Sequence, residues 1–493
     1  MNKNEETAWY DKARGKTARK PKPQKKERKS VLNTAVPRTA APQTVSSRPA
    51  SLQAATPQAL ASKHSRPAKP ERAPNKLGTL DKRNRTKTAD RPKRTKPMFD
   101  PKNIPSDSAL IIQNFDSIAA EVLNLSSKQK ILLSKNIKEL SHRLTDDRSD
   151  RRLGYMNDAS TIASYVNYFM WWNLVRLTRL FSNLDKDALD LDDNSICLDI
   201  GSGPLTIPIA LWLSRPDLRS KKLTFYCMDL SQTALATGEE LYLSIASKTL
   251  KENQEPWKII RVKGALGTRI KEKADLITSG NMFNEIVQTS QMPSDYLAKK
   301  YTEQLLSYSN NANENARILI VEPGDPHSAR LVSLFRDSLM RSGFNPLSPC
   351  PHFAECPMQG RTTANPGGKW CNFAFDTGDG PAKLLALSRN ANLSKDRAVL
   401  SFVLAKKSDG SELKAFKNAK DSGTLSLRIA SDFIRLTELH KSGYYACSQI
   451  GLVLAVDMSG VHPANGDLVK TKMPDSIKEL KRDKKSGALM LNI

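Results

Sequence analysis

Apolar and polar positions divide the chain into four stretches. Residues 1–102 show almost no hydrophobic periodicity and read as disordered. Helical patterning begins near Ser106, with two helices expected over Ala109–Leu144 and Ser126 or Ser127 as a cap between them. A third helix is expected from Asp158 to Phe181, where Ile162, Tyr165, Val166, Phe169 and Trp172 recur at helical spacing. From Ser195 the pattern becomes strand–helix alternation, the mark of a doubly wound parallel sheet in an α/β domain. Strands are expected at Ile196–Ile200, Leu223–Met228, Lys258–Val262, Ala274–Thr278 and Arg317–Val321. A return strand, Ala398–Ala405, follows a Cys/Pro/Gly-rich insertion at 346–380. Leu425–Ile493 reads as a small β-rich module with a basic end. The expected domains are a basic tail (1–103), a helical region (104–190), an α/β domain (191–407) and the C-terminal module (425–493).

Charge sharpens the first boundary. Residues 1–102 hold 27 Lys and Arg against 8 Asp and Glu, a net +19 of the chain's +26. The other 391 residues carry only +7, an ordinary value. A tail so basic is either a solvated, self-repelling arm or a tether for a polyanion, because Lys and Arg release counterions condensed on nucleic acid. Trp171 and Trp172 could stack on bases, but their place in the helical stripe favours a core role. No apolar run approaches the roughly 18–20 residues of a membrane span, and no secretory h-region opens the chain. Residues 30–60 are rich in Ala, Ser and Thr without an acid, as in a transit peptide, but Glu5, Glu6 and Asp11 precede them. A bacterial-type cytoplasm is therefore expected, with the mitochondrial matrix as the alternative. Six cysteines in 493 residues suit a reducing compartment and are too few for a disulfide scaffold.

The run Cys197-Leu198-Asp199-Ile200-Gly201-Ser202-Gly203-Pro204-Leu205 ends the first strand and opens a helix. Glycines there let backbone approach a ligand, and the helix start offers free N–H donors. Thr206 occupies the third glycine slot of the dinucleotide fingerprint, so GxGxxG is not met. Asp229 ends the next strand 30 residues after Asp199, where an acid accepts hydrogen bonds from ribose hydroxyls; capping the following helix is its plainer role. Ser279-Gly280-Asn281-Met282-Phe283-Asn284-Glu285 follows the fourth strand at the sheet edge where ligands bind. The candidate cofactor residues are Asp199, Gly201, Ser202, Gly203, Asp229 and Asn281. No catalytic residue is identified, since neither an Asn/Asp-Pro-Pro-aromatic clamp nor a nucleophilic Cys is present in that loop.

Cys350-Pro351-His352, Cys356-Pro357 and Trp370-Cys371 lie in the Gly/Pro-rich insertion. Thiolates in such a loop suit soft metals or iron–sulfur clusters, against the alternative of scattered buried cysteines. Cys197 and Cys227 fall inside strands, which leaves Cys447 as the natural fourth ligand.

With these motifs the chain resembles the ribosomal small-subunit protein twenty-two family, methyltransferase-like assembly factors of the mitochondrial ribosome and their bacterial relatives. The resemblance covers roughly residues 150–490 and rests on Leu198–Pro204, Glu322-Pro323-Gly324, the Cys-Pro-His and Cys-Pro pairs, and Trp370-Cys371-Asn372-Phe373. It continues through Arg428-Ile429 and Lys441-Ser442-Gly443 to Cys447. Asn372 stands where the family has His, and Leu205 where a small residue is frequent. The resemblance implies a class I SAM-dependent methyltransferase domain, Rossmann-like, that takes S-adenosylmethionine (SAM). It also implies a 4Fe–4S cluster on Cys350, Cys356, Cys371 and Cys447, with zinc as the alternative. The implied partner is small-subunit rRNA in an assembling small ribosomal subunit; no membrane is involved, and a monomer is expected. Two rival readings are a non-catalytic rRNA-binding assembly factor and a four-cysteine zinc RNA-binding protein.

Overall fold

The computed structural model describes residues 95–145, 155–288, 290–360, 368–411 and 423–493. Its larger sheet begins with β2 (Ile196–Ile200), β3 (Thr224–Asp229), β4 (Lys258–Lys263), β5 (Leu276–Gly280) and β6 (Arg317–Pro323). β7 (Phe344–Ser348), β8 (Phe373–Asp376) and β9 (Arg397–Lys407) complete it, while β1 (Thr95–Lys96) belongs to a second sheet. The spatial order is β4-β3-β2-β5-β6-β9-β7, with β8 also pairing β9. β2 to β6 run parallel, and β9 enters antiparallel between β6 and β7. Without β8, and counted from β2, this order is 3-2-1-4-5-7-6, that of the class I methyltransferase sheet. β2, β3, β5 and β6 are almost wholly buried because helices cover both faces, hence their unbroken apolar runs.

The helices start where the sequence supplies caps. Ser231 accepts from Ala234 N to open Gln232–Thr249, and Asp325 accepts from His327 N and Ser328 N to open Pro326–Arg341. The chain order reverses between β2 and β5, which leaves a crevice beyond their C-terminal ends, the usual place for a ligand.

The N-terminal region departs from expectation in detail. Three helices, Ser106–Gln113, Phe115–Leu123 and Ser127–Thr145, replace the two expected. Asn114 and left-handed Asn124 interrupt them. Ser126 and Gln129 form a reciprocal capping box at the third. The Asp158–Phe181 pattern becomes Ala159–Ser164, a π-helical turn over Tyr165–Met170, and Trp171–Asn183. Trp171 and Trp172 are buried, and their indole N–H groups donate to Ile112 O and Ser388 Oγ.

A second sheet is built from β1 (Thr95–Lys96), β10 (Thr424–Ile429), β11 (Ile434–Leu436) and β12 (Lys441–Ser448). β13 (Gly451–Asp457), β14 (Leu468–Lys472) and β15 (Leu489–Asn492) complete it. Its order is β1-β14-β10-β12-β13-β15, with β11 on β12. β1 corrects the tail boundary. Thr95 and Lys96 pair with Val469 and Leu468, and Met98 and Phe99 are buried behind them. A two-residue strand and two apolar residues are too short to register as periodicity; the expectation for residues 1–94 lies outside the described residues. The insertion at 346–380 also hid β7 and β8, since Cys, Pro and Gly there mask a strand pattern that β9 enforces through pairing. The described residues all belong to one compact unit.

Candidate functional site

Gly201 and Gly203 adopt left-handed backbone conformations (φ 69° and 52°), which bend the chain sharply after β2. Gly201 N and Ser202 N both donate to Met228 O at the end of β3. Asp229 Oδ2 accepts from Gly203 N at 2.9 Å, and its Oδ1 accepts from Ser231 N at 2.8 Å. The acid expected at a ribose thus closes the glycine turn and leads into the next helix. Burial raises its carboxyl above the usual range, against these backbone bonds.

Asp199 lies one strand over and is buried. It accepts from Ser202 Oγ and Thr278 Oγ1, each at 2.6 Å. Burial pushes its carboxyl up to about 7 despite those bonds, and the charge of Asp229 adds to the rise. Asn281 completes the edge in a left-handed conformation (φ 55°), its N–H donating to Val321 O at 2.8 Å. All six candidate cofactor residues therefore meet at one end of the sheet. Two methionines cover them. A Cβ built on Gly201 would stand 2.7 Å from Met282 Cγ, and one on Gly203 would stand 3.5 Å from Met156 Cε. Leu205 points elsewhere, packing where Gly238 lets the two helices approach, so its size does not narrow the crevice.

Glu322, at the end of β6, had no role in the residue-level reading. It is fully buried and accepts from Phe283 N (2.9 Å) and Asn284 N (3.1 Å), which fixes the helix Phe283–Gln288 beside the crevice. Burial pushes its carboxyl up to about 8. Two carboxyls near neutrality in one crevice are unusual, but both are committed to bonds within the protein.

The second assembly joins the two sheets. Cys350 and Cys356 follow β7, Cys371 precedes β8, and Cys447 lies on β12, directly opposite Arg428 of β10. The four thiols influence one another's ionisation, so they share one locality. Burial pushes Cys356 up to about 11 and holds Cys371 and Cys447 well above the ordinary thiol value. Two cations, buried Arg336 and half-buried Arg428, answer this cost. Arg336 Nε donates to Cys350 Sγ at 3.3 Å, while its Nη2 donates to His352 O and Ala354 O. Arg428 donates to Pro349 O and Gly466 O at 2.8 Å and feels the charge of Cys350, Cys371 and Cys447. His352 Nε2 lies 3.0 Å from Cys447 Sγ, and burial lowers the imidazole to about 4, so the ring is neutral. Among the described residues no group of three or more His, Cys, Asp or Glu side chains is placed to hold a metal ion. Sequence reading missed both arginines; Arg428 was noted only within a motif.

Residues 159–415 match the family model described as mitochondrial small ribosomal subunit Rsm22. No curated protein matches the chain. Similar solved structures include a precorrin-6y C5,15-methyltransferase from Geobacter metallireducens, at 12% identity over 45% of this chain and 84% of that one (TM-score 0.26). A putative class I S-adenosylmethionine-dependent methyltransferase from Listeria monocytogenes shares 11% identity over 62% and 88% (TM-score 0.28). A SAM-dependent methyltransferase from Geobacter sulfurreducens, in complex with S-adenosyl-L-homocysteine, shares 14% over 54% and 97% (TM-score 0.26). The strand order, rather than these likenesses, carries the fold.

Proposed function

The chain belongs to the family of the mitochondrial small ribosomal subunit protein Rsm22, and from that premise we propose that it binds SAM and acts on or binds small-subunit rRNA. The observation that carries the cofactor half is the convergence of Asp199, the Gly201–Gly203 turn, Asp229 and Asn281 at the reversal point of the sheet. Asp229 would turn toward the ribose, Asp199 and Ser202 toward the amino-acid end, and the backbone at Gly201 and Gly203 would line the ligand. When bound, the cofactor supplies a methyl group to a nucleophile. The family's description favours the matrix reading over bacterial cytoplasm. The basic tail, net +19 over residues 1–102, would add sequence-independent affinity for RNA.

The thiols support a 4Fe–4S cluster held by Cys350, Cys356, Cys371 and Cys447, which would fasten the second sheet to the methyltransferase sheet. Arg336 and Arg428 would offset the negative charge of four thiolates. Anaerobic purification should yield about four irons per chain, in line with thiolate-ligated clusters. Cys447→Ser should lose the iron and loosen the second sheet. One zinc per chain, or full iron in that variant, would sink this part.

Met282 and Met156 over the two glycines favour a second reading, a non-catalytic scaffold that docks RNA. Calorimetry decides between them. Wild type should take up SAM, and Asp229→Ala should weaken it by about 1.5–3 kcal/mol, the range for hydrogen bonds to a charged group. A folded wild type without SAM uptake leaves the scaffold standing.

A further inference from the structure

A cavity of about 420 Å³ opens at the junction of β6, β9 and the helix Trp171–Asn183. Its volume lies in the range of small-ligand sites. Arg176, Lys395 and Arg397 bring three cations to it, and Trp172, Pro323 and Val399 give it apolar walls. The Arg176 guanidinium is locked in place, donating through Nη1 to Val399 O and through Nη2 to Asn173 Oδ1. Its Nε is buried with no partner. An acid also lines the cavity, Asp325, but both its oxygens are engaged in capping the helix Pro326–Arg341. Arg397 pairs with Asp432. Lys395 Nζ lies 5.5 Å from the centre of the Tyr168 ring.

Three cations over apolar walls suit a ligand with an anionic group and a flat apolar body. A bare phosphate would leave the walls unused, and a neutral ring would leave the cations unused.

We propose that this cavity receives one nucleotide of single-stranded RNA, its phosphate on Lys395 and Arg397 beside the fixed guanidinium of Arg176, its base against Pro323 and Val399. Side-chain cations on phosphate with a base on apolar surface are the general means of holding unpaired RNA. The assignment of RNA rests on the small-subunit reading above.

The test titrates the full chain with uridine and adenosine 5′-monophosphates, with the matching nucleosides and inorganic phosphate as controls. Nucleotides should bind more tightly than either control. Lys395→Glu should weaken nucleotide binding at least about tenfold, as expected for a lost charge-assisted contact, with SAM uptake unchanged. Lys484→Glu, in the basic C-terminal end, should leave nucleotide binding unaltered. No nucleotide binding by wild type, equal weakening in Lys484→Glu, or phosphate binding as tightly as nucleotide would each overturn the proposal. Co-sedimentation of wild type with small subunits reports separately on the RNA reading. A chain that binds nucleotide here but ignores the subunit would fail that reading and not this one.

Discussion

The glycine-turn crevice and the cysteine assembly are built in opposite ways. Every part of the crevice near β2 and β3 lies within about thirty residues of sequence, and each is a strand end followed by a helix start. Its polar groups are satisfied by backbone N–H groups and the hydroxyl of Ser202 close in sequence, with Thr278 Oγ1 of neighbouring β5 as the one distant partner. The cysteine assembly draws on β7, β8, β10, β12 and the helix Pro326–Arg341, from two different sheets. Cys356 and Cys447 are buried and Cys350 and Cys371 partly so, and the four lie against two guanidiniums from distant segments. A local site survives as long as its strand–turn–helix units form. A distributed site forms only once both sheets are in register, so its loss should propagate further.

The largest effect is therefore expected at Arg336. Its side chain is 3% exposed and holds Cys350, His352, Ala354 and Asp337 at once. Arg336→Met should cost about 3–5 kcal/mol, the range for removing one partner of a buried charge network. Urea unfolding of the full chain measures it. The second sheet should open first, seen as faster hydrogen exchange in β10 and β12. A loss confined to the segment 350–356 would break the contrast between local and distributed sites.

Legibility follows the same division. Strand ends, glycines and acids near β2 and β3 could be read because a parallel strand, a tight turn and a helix start are each written in contiguous residues. Cys447 was reached by setting aside two cysteines that lie in strands, although it too lies on one, β12. Arg336 and Arg428 could not, since a helical arginine and a strand arginine look like solvated positions until the packing is known. Glu322 was hidden for the same reason: an acid closing an apolar strand reads as its polar end, yet it is fully buried. Thr95–Lys96 fell inside a segment whose charge pattern outweighed four ordered residues.

A smaller effect is expected at Gly201. Its left-handed backbone and the 2.7 Å approach of Met282 Cγ to a built Cβ both oppose any side chain. Gly201→Ala should cost about 1–3 kcal/mol of stability, the range for a strained backbone position. It should leave the second sheet's hydrogen exchange untouched. Spread of the change into β12 would show that the crevice is not local after all.

The smallest and most selective effect concerns Glu322, and it depends on pH. Its carboxyl keeps the proton up to about 8 when folded, against an ordinary value of 4.5. The native chain therefore holds more protons than the unfolded one between these values, and stability falls as pH rises through that window. Asp199 contributes the same sign, from its ordinary 3.8 up to about 7. Asp199 sheds its last half-proton there, so the slope from pH 7 to 8 comes mainly from Glu322. The contribution is fully present below 4.5 and gone above the folded value. Glu322→Gln carries no titrating proton and should flatten the slope of unfolding free energy between pH 7 and 8, while the slope from pH 5 to 7 persists through Asp199. Urea titrations at pH 5, 6, 7 and 8 measure both. Identical slopes in wild type and variant would mean that Glu322 ionises as an ordinary surface acid, and that the crevice is wetter than its burial implies.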